Sequence, residues 1–215
     1  MNTLLPNPVA ELVRRSVDVA VAGIGLAVSA PVLAVVAVLI RVRLGRGVLF
    51  RQERLGRGGH PFVLLKFRTM RHAAPGRDGP ECDAERLGGF GRFLRSSSLD
   101  ELPSLWNILR GDVGLVGPRP LPVPYWRRFR GDEYRRFEVR PGLTGLAQIN
   151  GRNTLDWPER LALDVEYVVN RSLIGDARIL LATIPVVLGR AGIDHAAGVT
   201  MHALPPDRPH PRRDS

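Results

Sequence analysis

The chain is short of cysteine, lysine and acidic residues. Its one cysteine, Cys82, excludes an internal disulfide and any cysteine-built metal cluster, and such usage fits the reducing side of a membrane. Lys66 is the only lysine in a chain otherwise supplied with arginine, so composition does not explain its choice; the plain alternative is a leftover lysine on a surface strand. Asp and Glu number 21 against 31 Lys and Arg, a formal net charge of +10 that calls for an anionic partner. Nucleic acid, an anionic membrane surface and phosphorylated substrates all meet that requirement, and charge does not choose among them. No recognisable nucleic-acid-binding motif and no internal repeat is present. The basic run Arg127, Arg128, Arg130, Arg135 and Arg136 reads as a solvated face, or as the binding surface of a membrane-tethered basic protein.

At 215 residues the chain can bury one sizeable core. It also holds a long stretch without charge, Val19 to Ile40. As a helix that stretch extends roughly 33 Å, enough for a bilayer core of about 30 Å. A straight anchor, a cleaved signal peptide and a hairpin that enters and leaves on one side all compete. The long basic stretch beyond is ill suited to export, which counts against the signal peptide. Arg14 and Arg15 precede the run while Arg41, Arg43 and Arg46 follow it, so the positive-inside preference draws both ends towards the cytoplasm. Pro31 lies near the middle and removes a backbone hydrogen bond, and Ser29 is placed to re-satisfy a freed carbonyl. These features predict an amino-terminal re-entrant membrane hairpin of helix, break and helix.

The segment SSSLDELPSLWNILRGDVGLVGPRP, residues 96 to 120, carries the candidate chemistry. Ser98 and Glu101 have capping-box spacing, but Pro103 would then fall inside the helix; with Asp100 as cap, Pro103 is third and loses nothing. Asp100 is then either an ordinary N-cap or a carboxylate at a helix's positive end. Leu102, Leu105, Trp106 and Leu109 follow at helical spacing and predict a core face, with Gly111 as the stop. In Pro118-Arg119-Pro120, proline fixes the backbone on both sides of one arginine. A carboxylate beside a rigid guanidinium suits phosphate chemistry, since one can attack or hold a metal while the other pairs with phosphoryl oxygens.

Elsewhere, Val48 to Phe50 and Phe62 to Phe67 read as a strand pair around a glycine-rich turn. His72 to Asp83 reads as a surface loop, and Arg140-Pro141-Gly142 as a turn before the apolar stretch Leu143 to Ile149. Asn150-Gly151-Arg152-Asn153 is a polar loop. Asp156 to Asn170 and Ile174 to Leu188 predict helices, the second apolar enough for a core or a membrane interface.

Four segments in order, LFRQERLGRGGHPFVLLKFRTMR, GRFLRSSSLDELPSLWNILRGD, LVGPRPLP and VRPGLTGLAQINGRN, give the chain a resemblance from about Arg14 to Thr200. It resembles the bacterial sugar transferases, monotopic phosphoglycosyl transferases that start glycan assembly on a polyprenyl phosphate. The resemblance implies a predominantly helical α+β fold, with the hairpin and its basic flanks at 1–46 and a cytoplasmic catalytic domain at 47–200, while the Pro- and Arg-rich composition of 201–215 reads as a disordered tail. It implies transfer of a sugar 1-phosphate from a UDP-sugar to undecaprenyl phosphate at the cytoplasmic face of the bacterial inner membrane. Anionic lipids of that membrane and downstream glycosyltransferases are the further partners implied, with no nucleic acid. Asp100 would be the nucleophile and Glu101 its helper, with Mg²⁺ on this pair; Lys66, Arg68, Arg95 and Arg119 would meet substrate phosphate. Arg140, Asn150, Arg152 and Asn153 would meet nucleotide or sugar. Leu146 stands where many relatives carry Trp, and Ala30 where they often carry Ser before the proline.

Overall fold

The computed structural model describes residues 7–73, 82–151, 155–188 and 204–205. Arg152 and Asn153, and most of the expected surface loop, lie outside them.

Helix α1, Pro8–Arg43, starts at Asn7, whose side chain accepts from the N–H groups of Val9 and Ala10. It stays helical through Pro31, so the expected break appears as one 36-residue helix with a proline inside it. The expected repair by Ser29 is also corrected. Pro31 frees the carbonyl four residues back, that of Ala27, whereas the Ser29 hydroxyl donates to Gly25 O at 2.6 Å. Among the described residues, α1 is the one helix long and apolar enough to cross a membrane.

Both halves of α1 dock on the rest of the protein. Arg14 Nε donates to Asp176 Oδ2 at 2.6 Å, and Arg15 donates to the carbonyls of Ile108 and Leu109, both at 2.6 Å. Asp18 Oδ1 accepts from Leu115 N at 2.9 Å. Further along, Val36 and Ile40 pack with Phe67 and Leu94, and Arg68 Nη2 donates to Leu44 O and Gly45 O, both at 2.9 Å. Docked positions 15, 18, 22, 36 and 40 fall on one stripe, while Ile24, Val28, Val35 and Val38 on other faces are exposed.

β1, Leu49–Leu55, pairs antiparallel with β2, Pro61–Phe67, Leu49 opposite Phe67 and Leu55 opposite Pro61, as the glycine-rich turn predicts. Side chains close the other edge of β2. Asn107 Oδ1 accepts from Leu65 N at 2.9 Å and its Nδ2 donates to Val63 O at 2.7 Å; Ser104 Oγ donates to Leu65 O at 2.7 Å. Both belong to α4, Ser104–Arg110, so the helix that follows the acidic pair is bonded to the strand carrying Lys66.

Short helices α2, Asp83–Arg86, and α3, Gly89–Ser96, precede that pair. Asp100 caps no helix: it sits in a 3-10 turn, Leu99–Glu101, and α4 begins after Pro103. Ser98 adopts φ 56° without a capping bond, so the capping-box alternative fails too. Gly111 ends α4 at φ 92°, a conformation that costs glycine nothing. Of the predicted core face, Leu105 is buried and Leu102 and Leu109 pack against the core, whereas Trp106 is 51% exposed and Asn107 and Ile108 are buried beside them.

β3, Gly114–Val116, pairs in parallel with β4, Gly142–Thr144, and α5, Leu146–Ile149, follows. A Cβ on Gly142 would lie 2.0 Å from Gly117 N, so only glycine admits this approach. α6, Trp157–Val169, is capped by Asp156, whose side chain accepts from Glu159 N and whose own N–H donates to the Glu159 carboxylate. α7, Leu173–Leu188, buries Asp176 and Ile179 and exposes Ile174, Leu181 and Ile184, so it is core on one side and apolar surface on the other. Leu204, expected in a disordered tail, is fully buried with Leu55, Leu121, Phe129, Phe137 and Leu161. Two small sheets among seven helices make a predominantly helical α+β fold among the described residues.

Candidate active site

Glu101 organises the site. Its Oε1 accepts from Lys66 Nζ at 2.5 Å and from Arg119 Nη2 at 2.8 Å. The strand β2 delivers Lys66, the 3-10 turn delivers Glu101, and the proline-flanked segment after β3 delivers Arg119. Lys66 is therefore no surface leftover. Burial pushes its ammonium below the ordinary lysine value and Arg119 adds to this, against Glu101 and Asp100. Burial pushes the Glu101 carboxyl up, but Lys66 and Arg119 together hold it well below the usual carboxylate range. Glu101 is thus ionised and already paired.

Asp100 is in the opposite condition. It is 8% exposed, and among the described residues its carboxylate has no hydrogen-bond partner. Burial, reinforced by the Glu101 charge, pushes it up to about 6, with Lys66, Arg95 and Arg119 opposing. Near neutral pH it is a largely ionised carboxylate that hydrogen bonds do not hold, the condition of an activated nucleophile. Adjacent carboxylates with pKa values driven apart divide the roles between a reacting group and a fixed counter-charge.

A shallow open cleft lies over this arrangement, lined by Arg54, Lys66, Glu101, Ser104, Arg119 and Gly142 among others. Glu101 lines it directly and Asp100 adjoins it in sequence. Arg54, which sequence reasoning missed, donates to Pro120 O at 3.1 Å and to Gln52, and burial with the nearby Arg119 lowers its pKa to about 10. Three cations against Glu101 leave the cleft short of negative charge, which suits a phosphorylated ligand.

The other expected site residues divide. Arg95 stands within electrostatic reach of Asp100, held by a bond from its Nε to Thr69 Oγ1 at 3.1 Å. Arg68 commits its guanidinium to Leu44, Gly45 and His72 and is not brought to the acidic pair. Arg140 lies 4.0 Å from Glu11, with the charges that dock α1. Asn150 turns back on Leu146 O at 2.8 Å. The expected basic face is not free either: Arg136 is buried against Asp164, and Arg135 pairs with Glu138.

Carboxylates, lysine and arginines converge on a cleft suited to a phosphorylated ligand, in a protein whose first helix is apolar enough to enter a membrane. Residues 9–190 match the model of the bacterial sugar transferases, and the chain belongs to that family. It is 41% identical to an uncharacterized sugar transferase, EpsL, of Bacillus subtilis over 88% of this chain and 94% of that protein. It is also 41% identical to the UDP-glucose:undecaprenyl-phosphate glucose-1-phosphate transferase of Caulobacter vibrioides, over 86% of this chain and 73% of that one. The exopolysaccharide production protein ExoY of Rhizobium meliloti is 36% identical over 84% and 87%.

Proposed function

We propose that the protein moves a sugar 1-phosphate from a UDP-sugar to undecaprenyl phosphate, initiating exopolysaccharide, O-antigen or glycoconjugate synthesis. The observation that carries this reading is the division of roles between an unpartnered, raised Asp100 and a Glu101 locked to Lys66 and Arg119. The names of the Caulobacter vibrioides and Rhizobium meliloti relatives agree with it. In the first step an Asp100 oxygen attacks the donor's β-phosphorus, the bond to the bridging oxygen breaks, and uridine monophosphate leaves with the electron pair. In the second a lipid phosphate oxygen attacks the same phosphorus and frees the carboxylate, so no net proton is required. Lys66, Arg119 and Arg54 lower the repulsion between two anionic phosphates.

Mg²⁺ fits this donor set when substrate supplies most of its ligands. Asp100 and one oxygen of Glu101 are available to it, and no larger acidic cluster occurs among the described residues. Mg²⁺ is characteristically held by one or two carboxylates plus substrate phosphates and water, and it supplies neutralisation of phosphate charge. Incubation with a panel of UDP-sugars and undecaprenyl phosphate should release uridine monophosphate with one donor; no release with any donor would overturn the assignment.

Arg119→Lys should reduce kcat/KM for the donor about tenfold to hundredfold although charge is kept, because an ammonium cannot make paired contacts to phosphate oxygens. Steady-state kinetics checks this. Wild-type values would return Pro118-Arg119-Pro120 to a turn.

Re-entrant topology at the cytoplasmic face of the inner membrane is part of the same proposal. Arg14, Arg15 and Asp18 near one end of α1, and Ile40, Leu44 and Gly45 at the other, all contact the one body that carries Asp100. A straight span would place those ends on opposite sides of the bilayer. Arg14 and Arg15 are committed to partners, so docking carries this topology more than the positive-inside preference does. Single cysteines at Thr3 and at Arg57, with Cys82 replaced, should both resist a membrane-impermeant label applied to intact cells. Labelling of Thr3 alone would mean a crossing.

A further inference from the structure

The Pro118-Arg119-Pro120 segment has an anchoring problem. Proline has no N–H, so two of its three residues cannot donate to a neighbouring strand, and the segment must be held chiefly through carbonyls. Four successive carbonyls are taken. Pro118 O accepts from Gly142 N at 3.0 Å, Arg119 O from Arg136 Nη2 at 2.7 Å, Pro120 O from Arg54 Nη1 at 3.1 Å and Leu121 O from Leu55 N at 2.8 Å. The donor on Arg119 itself, the residue whose guanidinium meets Glu101, is Arg136.

Arg136 is 3% exposed and lies against Phe129 and Phe137, its guanidinium carbon 5.3 and 5.2 Å from the ring centroids. Its Nε and Nη2 both donate to Asp164 Oδ2, at 3.1 and 2.8 Å, and Asp164 is 2% exposed on its side chain. Neither residue lines the cleft. Buried ion pairs are weak contributors to net stability compared with apolar packing, and their best-attested use is to fix one geometry. Here the pair fixes a guanidinium whose Nη2 also donates to the backbone of Arg119.

We infer that Arg136, oriented by Asp164, is a positioning residue that sets where Arg119 presents its guanidinium to the donor phosphates. The inference rests on the reading of Arg119 as a donor ligand given above. Arg136 acts from behind, on the carbonyl, and never touches substrate. Small displacements of a phosphate clamp are costly: misplacement by about 1 Å can lower a rate about hundredfold.

The test is a cycle of four proteins: wild type, Arg119→Ala, Arg136→Met with Asp164→Asn, and all three changes together. Methionine packs against the two rings without donating, and asparagine leaves no unpaired carboxylate while keeping an oxygen beside Arg160. The paired change should lower kcat/KM for the UDP-sugar about tenfold to hundredfold in the wild-type background, with a thermal melt showing a folded protein. In the Arg119→Ala background it should cost less than about twofold, because the residue it positions is gone. Equal fold losses in both backgrounds would overturn the inference in favour of a purely structural pair, as would wild-type kinetics for the paired change. Wild-type kinetics for Arg119→Ala would instead overturn the reading of Arg119 itself. If the paired change does not fold, Arg136→Lys is read in the same cycle by the same criteria.

Discussion

Asp100→Asn is expected to abolish transfer, by roughly 10⁴-fold or more, while making the protein harder to melt. The two effects share one cause. A carboxyl raised to about 6 by burial and by Glu101 is one that the fold prefers protonated. Stability from that group is fully present below the ordinary carboxylate value and is lost as pH rises through about 6, so at neutral pH the ionised nucleophile costs on the order of 3 kcal/mol at most. Asparagine removes the charge and recovers part of that cost. The rate should follow the opposite course, rising with pH through about 6 as Asp100 ionises. Thermal melts and a pH–rate profile of the first step check both signs. Lower stability in Asp100→Asn at neutral pH would contradict the electrostatic account.

Glu101→Gln should move stability the other way. One oxygen of Glu101 serves both Lys66 and Arg119, so its neutral replacement leaves two cations facing each other and Arg54 without their counter-charge. Partial exposure of all three side chains discounts the penalty to about 1–3 kcal/mol. Glu101 is held well below the usual range, so its contribution is present above the ordinary carboxylate value and is lost only as pH falls into strong acid. Transfer should drop about 10²–10³-fold, the usual cost of removing one preorganised electrostatic partner. Melts on the two variants side by side give the sharpest reading, because the expected shifts have opposite signs. Shifts of the same sign would contradict the division of roles between the neighbouring carboxylates.

What the sequence revealed depended on whether the signal was local. The β1–β2 hairpin and the Gly111 stop follow from residues within a few positions, and both appear as expected. Lys66 and Arg119 stood out by rarity and by proline flanks, and the fold brings both onto Glu101. Helical spacing placed Leu102, Leu105 and Leu109 of the α4 region on the core but misplaced Trp106. Asn107 faces inward because the open edge of β2 needs its amide, a demand set by a strand far away in sequence, and Trp106 is turned outward as a result. Arg54 and Arg136 carried no local signal at all. In a chain so rich in arginine, only the fold distinguishes a buried guanidinium on a carbonyl from a solvated one. The cap reading of Asp100 failed because the chain delays α4 past Pro103, which frees the carboxylate from backbone duty.

Covalent trapping tests the central claim most directly. The protein is mixed with a UDP-sugar labelled at its β-phosphorus, in the absence of any lipid phosphate, quenched and digested. Nucleophilic attack by Asp100 predicts uridine monophosphate released up to the amount of enzyme, with the label on the peptide carrying Asp100, discharged when undecaprenyl phosphate is added before quenching. Uridine monophosphate that forms only when donor and lipid are present together, with no label retained by the protein, would contradict it.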